Sequence, residues 1–163
     1  MIVLKGTQTS LPPIFRCGKN IDWAYEFTLP ENGYYVGDEH EQKDWLKLCG
    51  VKPKFFDPQY DSKMVGFRWN LKTKLYEFCF YWHEKNKSFH IIDTDITSKS
   101  KVIVRFISNS ISNKLHISIE NLLGSGRGEI FENDSNMCYL INTFWGGSLP
   151  MEQTLFFGME KLK

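Results

Sequence analysis

Apolar and polar residues alternate with a period of two along much of this chain, which is the pattern of β-strands with one buried face. The clearest case is LYEFCFYWHE (75–84), where Tyr76, Phe78, Phe80 and Trp82 fall on one side. Burying such side chains contributes on the order of 25 cal/mol for each Å² removed from water, so we assign them to the core. Alternation or β-branched runs predict further strands at VGFRWN (65–70), DWAYEFTL (22–29), KVIVRFI (101–107), KLHISIE (114–120), EIFEN (129–133), MCYLI (137–141) and QTLFFGM (153–159).

Short turn-forming tracts separate these strands, and they suggest how the strands are connected. We expect LKTK (71–74) to close a hairpin in which Asn70 and Leu75 form the flanking pair. Many short strands at close spacing predict an all-β fold, a two-sheet antiparallel sandwich of jelly-roll type. Because no linker or repeat divides the chain, we predict one domain over residues 1–163. The other turn-forming tracts are PENG (30–33), EKNK (84–87), SNSISN (108–113) and GSGRG (124–128).

One segment departs from the strand pattern. DEHEQKDWLKLCG (38–50) has acidic residues first, lysine later and a glycine at its end. Trp45, Leu48 and Cys49 fall on one helical stripe. These are helix start and stop signals, so we predict one short helix packed across an edge or end of the sandwich.

Composition and charge exclude several classes of function. The chain is 42% hydrophobic and 15% aromatic, so we expect a folded domain. Its net charge is +1 and its basic residues are dispersed, which disfavours a nucleic-acid partner. No apolar run approaches the length of a membrane span. The start, MIVLKGTQTS, has too short an apolar segment for a secretory signal, so a virion or cytoplasmic location is expected.

The potential metal ligands are scattered. Four cysteines lie far apart without a CxxC motif, so we interpret them as buried free thiols, with disulfides left open. DTD (93–95), even with Asp57 and Asp61, is more typical of a capped turn than of a calcium site. We therefore predict no metal and no cofactor.

The polar side of the aromatic hairpin carries the candidate ligand site. If Asn70 pairs with Leu75, one face opposite the core gathers Arg68, Asn70, Glu77, Tyr81 and His83. Tyrosine offers a flat ring and a hydroxyl, while arginine and asparagine donate hydrogen bonds, which suits a glycan. The alternative is an ordinary solvated sheet face on which Arg68 and Glu77 pair across strands.

Three stretches of this sequence also resemble a set of small bacterial and phage proteins related to the concanavalin A-like jelly rolls, the superfamily of legume lectins, laminin-G-type modules and several glucanases. DWLKLCG (44–50) is similar to their DWNKL-G element, and GFRWN (66–70) to their G-[WF]-R-[WY]-N strand. FWGGSLP (144–150) is similar to their final Phe-Gly-Gly loop. Trp145 is an insertion or a replacement relative to that loop, and MEQ (151–153) departs from the Ala-Pro-type tract that follows it in those proteins. The resemblance spans roughly residues 20 to 160. It implies a jelly roll with the polar row on a concave face.

The resemblance leaves activity open, because the superfamily contains lectins, enzymes and structural modules. Family glucanases often carry Glu-x-Asp-x-x-Glu on one strand, whereas here Glu77 is followed by Cys79 and Tyr81, so the second carboxylate is absent. A polysaccharide lyase instead needs an acid, a base and an arginine. Arg68, Tyr81 and His83 fit those roles by residue type.

We consequently predict a non-catalytic binding or structural module. Its expected role is that of an auxiliary decoration protein of a phage particle, and its own concave face is expected to bind glycan. Its expected partners are other subunits of the particle or a surface glycan. Phe144 and Trp145 form a candidate interaction loop, which either anchors a partner or closes the end of the barrel. The alternatives are a carbohydrate-active enzyme and an intracellular protein that inhibits or senses a partner.

Overall fold

The period-two segments form antiparallel strands, because alternation lets aromatic and β-branched side chains share one buried face of a sheet. The computed structural model describes residues 2–3, 10–11, 16–31, 33, 45–52, 62–84, 86–109, 111–121, 126–132, 137–141, 144–145, 155–156 and 158–162. In this part of the chain the strands lie in two principal sheets and a short third one. The fold is a two-sheet antiparallel sandwich, so the predicted all-β class is confirmed.

The larger sheet has the order β3-β12-β5-β6-β7-β8, with β13 also pairing with β5. Its strands are β3 (Cys17–Gly18), β5 (Leu46–Lys52), β6 (Lys63–Asn70), β7 (Leu75–Glu84), β8 (Asn86–Ile96), β12 (Cys138–Ile141) and β13 (Phe144–Trp145).

The smaller sheet has the order β11-β10-β9-β4-β15. Its strands are β4 (Asp22–Thr28), β9 (Lys101–Asn109), β10 (Lys114–Asn121), β11 (Gly126–Glu132) and β15 (Gly158–Leu162). The third sheet joins β1 (Ile2–Val3), β2 (Ser10–Leu11) and β14 (Leu155–Phe156) in the order β14-β1-β2.

The shared core lies between the two principal sheets. Phe67 and Phe78 of the larger sheet have no exposed surface, and their ring centroids are 6.1 Å apart. Phe80 reaches across the core to Phe131 of β11, with ring centroids 6.5 Å apart. Trp82 packs against the same cluster, so all four aromatic residues assigned to the core from alternation contribute to it.

The β6–β7 hairpin has the predicted register. Asn70 pairs with Leu75, and the carbonyl of Asn70 accepts the backbone N–H of Lys74 at 2.9 Å. The Asn70 side-chain oxygen also accepts the backbone N–H groups of Lys72, at 2.9 Å, and Thr73, at 3.2 Å. Lys74 takes the left-handed conformation, with φ of 59°, that closes the turn. This hairpin positions the candidate site.

Two expectations from the sequence are wrong. The second half of the predicted helix is β5, a strand whose Leu46, Leu48 and Cys49 all enter the shared core; residues 38–44 lie outside the described residues. A β-bulge between Lys47 and Cys49 explains the mixed signal, because the extra residue puts two consecutive side chains on one face and mimics a helical stripe. Likewise, Gly126–Gly128 of the expected GSGRG loop belong to β11.

All four cysteines are free, and three of them are buried as interpreted from the sequence, whereas burial was wrongly expected for Cys17. Cys49, Cys79 and Cys138 are buried, whereas Cys17 is exposed. Among the described residues no helix has the length and apolar character needed to cross a membrane.

Candidate functional site

The face of the larger sheet that turns away from the shared core carries the candidate site; we refer to it as the outer face. The registers arrange its residues in rows that cross the strands. One row contains Arg68 of β6 opposite Glu77 of β7, with Trp45 of the segment preceding β5 beside Arg68. The next contains Lys47, Gly66 and Cys79, and a third contains Gly50, Met64 and Tyr81.

Arg68 is the centre of the first row. Its Nε donates to Glu77 Oε2 at 2.6 Å, and its guanidinium lies over the Trp45 ring, 4.4 Å from the centroid. Asn70 donates from Nδ2 to the other oxygen of Glu77 at 2.7 Å. Arg68 is therefore held by a charge-assisted hydrogen bond and an aromatic face at once, with 25% of its side chain exposed.

The environment of Glu77 keeps this carboxylate ionised. Burial opposes ionisation, but the hydrogen bonds from Asn70 and Arg68 and the Arg68 charge outweigh it, so the pKa of Glu77 is lowered. Both oxygens are engaged, and only 13% of the side chain is exposed. Glu77 is thus an acceptor in a fixed network and a poor general acid.

Lys47 lies at the middle of the outer face. Its Nζ donates to the Trp45 carbonyl at 2.8 Å and sits 4.4 Å from the centre of the Tyr81 ring. The residue is only 6% exposed, and it pairs with Gly66 in the neighbouring strand. Burial raises the pKa of the Cys79 thiol beside it, although the Lys47 charge acts in the opposite direction.

The polar row expected from the sequence is not a continuous solvated groove. Cys79 and Tyr81 belong to a second buried cluster on the outer face, together with Trp45, Met64 and Ile141. Tyr81 is 6% exposed and Cys79 has no exposed surface. Period-two alternation separates the two faces of a sheet, but it does not tell whether the second face is covered, and this is why sequence reasoning missed the cluster. Among the members of the predicted row whose side chains are described, the accessible ones are Arg68, Asn70 and Glu77.

For the remaining predicted site residues, His83, Phe144 and Trp145, the structure describes the backbone position only. His83 pairs with Lys87 near the end of β7, and its side chain lies outside the described part of the structure. Phe144 and Trp145 form β13, which pairs with Lys47 and Leu46. The start of the predicted interaction loop therefore adjoins the candidate site, a proximity that no local pattern in the sequence indicated; residues 146–150 lie outside the described residues.

Trp45 and Lys47 are site residues that the sequence analysis assigned to a helix. The signal that would have found them is the alternation within WLKL, where Trp45 and Lys47 share one parity and Leu46 and Leu48 the other. Within the part of the chain that the structure describes, the side-chain oxygen of Ser62, just before β6, is buried and has no hydrogen-bond partner.

The two outer faces of the sandwich differ in charge. The strand registers and the alternation of side chains assign three cations to the outer face of the larger sheet, Lys47, Lys52 and Arg68. The single carboxylate among the described residues of this face is Glu77. The opposite surface, on the smaller sheet, has more acidic than basic residues. These are Asp22, Glu26, Glu120, Glu132 and Glu160 against Lys101, Arg105 and Lys114. Within the described chain, no group of three or more His, Cys, Asp or Glu side chains is arranged to hold a metal ion.

Comparison with known proteins shows the fold. No family model matches the sequence, and no curated protein matches it. The structure is similar to an alginate lyase from Klebsiella pneumoniae, with a TM-score of 0.62 and 8% identity over 88% of this chain and 60% of that one. It is also similar to an alginate lyase from Pseudomonas aeruginosa, with a TM-score of 0.54 and 8% identity over 88% of this chain and 65% of that one. Peanut lectin in complex with a nine-residue peptide aligns with a TM-score of 0.49 and 10% identity, over 99% of this chain and 90% of the lectin.

This chain thus spans less than two thirds of the length of either lyase. At such identities the likeness to the two lyases shows a shared fold alone, an antiparallel sandwich of jelly-roll type.

Proposed function

We propose that this protein is a non-catalytic module that binds an acidic glycan at the Arg68 end of the outer face. The observation that carries this proposal is the fixed guanidinium of Arg68, which is held between Trp45 and Glu77 on a side chain that is 25% exposed. A preorganised arginine recognises a carboxylate or sulfate well, because its planar fork matches the two oxygens of the anion and little side-chain entropy remains to be lost.

The charge of the surroundings supports an anionic ligand. Lys47 and Lys52 add positive charge to a face whose described carboxylate, Glu77, is already neutralised by Arg68. Charges of one sign on a sheet face raise the local concentration of an oppositely charged polymer. Two proteins that share this fold are alginate lyases, so a polyuronate is the first ligand to test.

The same geometry favours binding over catalysis. Glu77 stays ionised and has both oxygens occupied, so it lacks the free proton that an acid catalyst donates. Tyr81, the residue that a lyase would use as its acid or base, is 6% exposed beneath Lys47. A carbohydrate-active enzyme is the alternative, and the fold of the alginate lyases is what favours it.

Titration against purified polysaccharides tests the proposal. We expect polyuronates or sulfated glycans to bind and neutral glucans to bind much more weakly, with an affinity that falls as salt is added. Equal binding of neutral and acidic polymers, or no binding to any of them, would exclude the proposed site. Incubation with the same polyuronates and detection of unsaturated products by ultraviolet absorbance tests the enzyme alternative.

We propose an auxiliary protein of a phage particle as the biological setting, since a small rigid sandwich with one ligand-binding face suits attachment to a surface glycan. Sedimentation of particles from the native source tests this setting. The protein is expected in the particle fraction. Recovery as a soluble complex with another protein would instead support the inhibitor or sensor alternative.

A further inference from the structure

The Trp45 ring supports the Arg68 guanidinium, so the orientation of Arg68 depends on what fixes Trp45. Trp45 lies just before β5 and is 4% exposed. Its Cβ packs beside Gly66 of β6, where an added Cβ would lie 3.4 Å from it. Its carbonyl accepts a hydrogen bond from Lys47 Nζ at 2.8 Å. A buried cation is thus bonded to the backbone of the residue that carries the indole.

We propose that Lys47 is a positioning residue for Arg68. It holds the Trp45 backbone in place and thereby sets the plane of the indole against which the guanidinium lies. The consequence for glycan affinity rests on the proposed function, whereas the contacts among the three side chains exist without a ligand.

Lys47 acts through Trp45 and not by contact with the ligand. Only 6% of the residue is exposed, which leaves little surface for an anion to reach. A buried ammonium needs groups that replace water, and the Trp45 carbonyl and the face of the Tyr81 ring, 4.4 Å from Nζ, serve this purpose. Moving the ammonium off the carbonyl would break a charge-assisted hydrogen bond beside a buried cluster, so Trp45 is held firmly.

Aromatic rings and cations alternate in a chain of contacts across the outer face. Its members, in order, are Tyr81, Lys47, Trp45, Arg68 and Glu77. The chain begins and ends on β7. An almost fully buried tyrosine therefore contributes to the site indirectly, because its ring seats the lysine whose ammonium fixes Trp45.

NMR of the Arg68 side chain in the absence of glycan tests the positioning, whether or not the proposed function is right. The ring current of the indole shifts the Arg68 Nε–H resonance, which is identified by its loss in Arg68→Lys. Lys47→Met keeps an unbranched stem and removes the ammonium, so the resonance should move towards that of an unstacked arginine. Lys52→Met, which removes a cation from the same face at a position paired with Tyr139, should leave it in place. An unmoved resonance in folded Lys47→Met would overturn the proposal.

Affinity for a polyuronate separates positioning from the general field of a cation. Lys47→Met should bind about tenfold more weakly than the wild type. That ratio should persist between about 0.1 and 1 M salt, because salt screens distant charges and leaves a packed contact intact. Lys52→Met is the matched control, and its smaller loss should vanish over the same range. A Lys47→Met deficit that vanished in the same way would contradict a positioning role.

A measurement on the wild-type protein covers the case in which Lys47→Met fails to fold. An ammonium held on a carbonyl in a buried environment exchanges its protons with water slowly, so heteronuclear NMR should detect the Lys47 ammonium. Nuclear Overhauser contacts to the Tyr81 ring identify the signal. If no slowly exchanging ammonium lay near that ring, Lys47 would not be fixed on Trp45 and the proposal would fail. A wild type that bound no polyuronate would refute the proposed function alone, since both NMR results are obtained without a ligand.

Discussion

Arg68 and Trp45 are stacked on the outer face of the larger sheet, with the guanidinium carbon 4.4 Å from the centre of the indole ring. The two residues come from β6 and from the segment that precedes β5, so neither strand alone creates the contact. Glu77 of β7 accepts a hydrogen bond from Arg68 Nε and so fixes the orientation of the guanidinium in its plane. A ligand that meets Arg68 encounters a cation already in place, and this relationship determines the first prediction.

Replacing Arg68 tests the proposed glycan site. Arg68→Ala should reduce affinity for a polyuronate by tenfold or more, since it removes a charge-assisted contact to the anion. Arg68→Lys should recover little of the loss, because an ammonium lacks the planar fork that stacks on Trp45 and matches a carboxylate. Isothermal titration calorimetry measures both. Arg105→Ala, which breaks an exposed ion pair with Asp22 on the other sheet, should bind like the wild type.

The stabilising contribution of Glu77 should be lost in acid. The folded state lowers the pKa of Glu77, so its stabilising contribution is present above the unfolded pKa of about 4.3 and is lost as pH falls through the folded value. Glu77→Gln should cost about 1 kcal/mol at neutral pH and flatten the decline in stability below about pH 5. Urea unfolding at several pH values measures the effect. A variant whose stability declines in acid as steeply as the wild type would contradict this linkage.

Tyr81 should be required for stability. Because it is 6% exposed within the second cluster, Tyr81→Ala should lower the free energy of unfolding by about 3 kcal/mol, as large-to-small changes of buried aromatic residues do. Tyr139→Ala, at a half-buried position on β12, is the matched comparison and should cost less. Chemical denaturation of both variants would show the difference. If Tyr81→Ala weakened glycan binding with no loss of stability, Tyr81 would be an accessible ligand-binding residue after all.

Gly50 is expected to tolerate no side chain. A Cβ atom there would lie 2.3 Å from Met64 Cγ and 2.7 Å from the Lys63 carbonyl oxygen, and the carbonyl is backbone that cannot rotate away. Gly50→Ala should therefore destabilise the protein by about 1–3 kcal/mol. Gly126→Ala, where the nearest atom is 3.0 Å away on the exposed side chain of Glu120, should be milder. Thermal unfolding of the two variants is the measurement.

Cys17 should be the thiol that reacts first in the native protein. It is exposed, whereas Cys49, Cys79 and Cys138 are buried, and burial raises the pKa of the Cys49 and Cys79 thiols. Brief alkylation followed by mass spectrometry should find one modified site before denaturation and four after it. Cys17→Ser should abolish the native label. Early modification of any buried cysteine would show that its sheet opens readily.

Alternation along the chain determined the fold class, the core-facing parity of β6 and β7, and the register of the β6–β7 hairpin. These features are local, because a strand's two faces and a tight turn are encoded by neighbouring residues. Only the tertiary structure decided that Trp45 lies against Arg68 and Lys47 against Tyr81 on the second face of the sheet, and that Tyr81 is buried there. Each of these depends on residues distant in sequence packing onto the second face of a sheet, and a period of two carries no information about what covers that face.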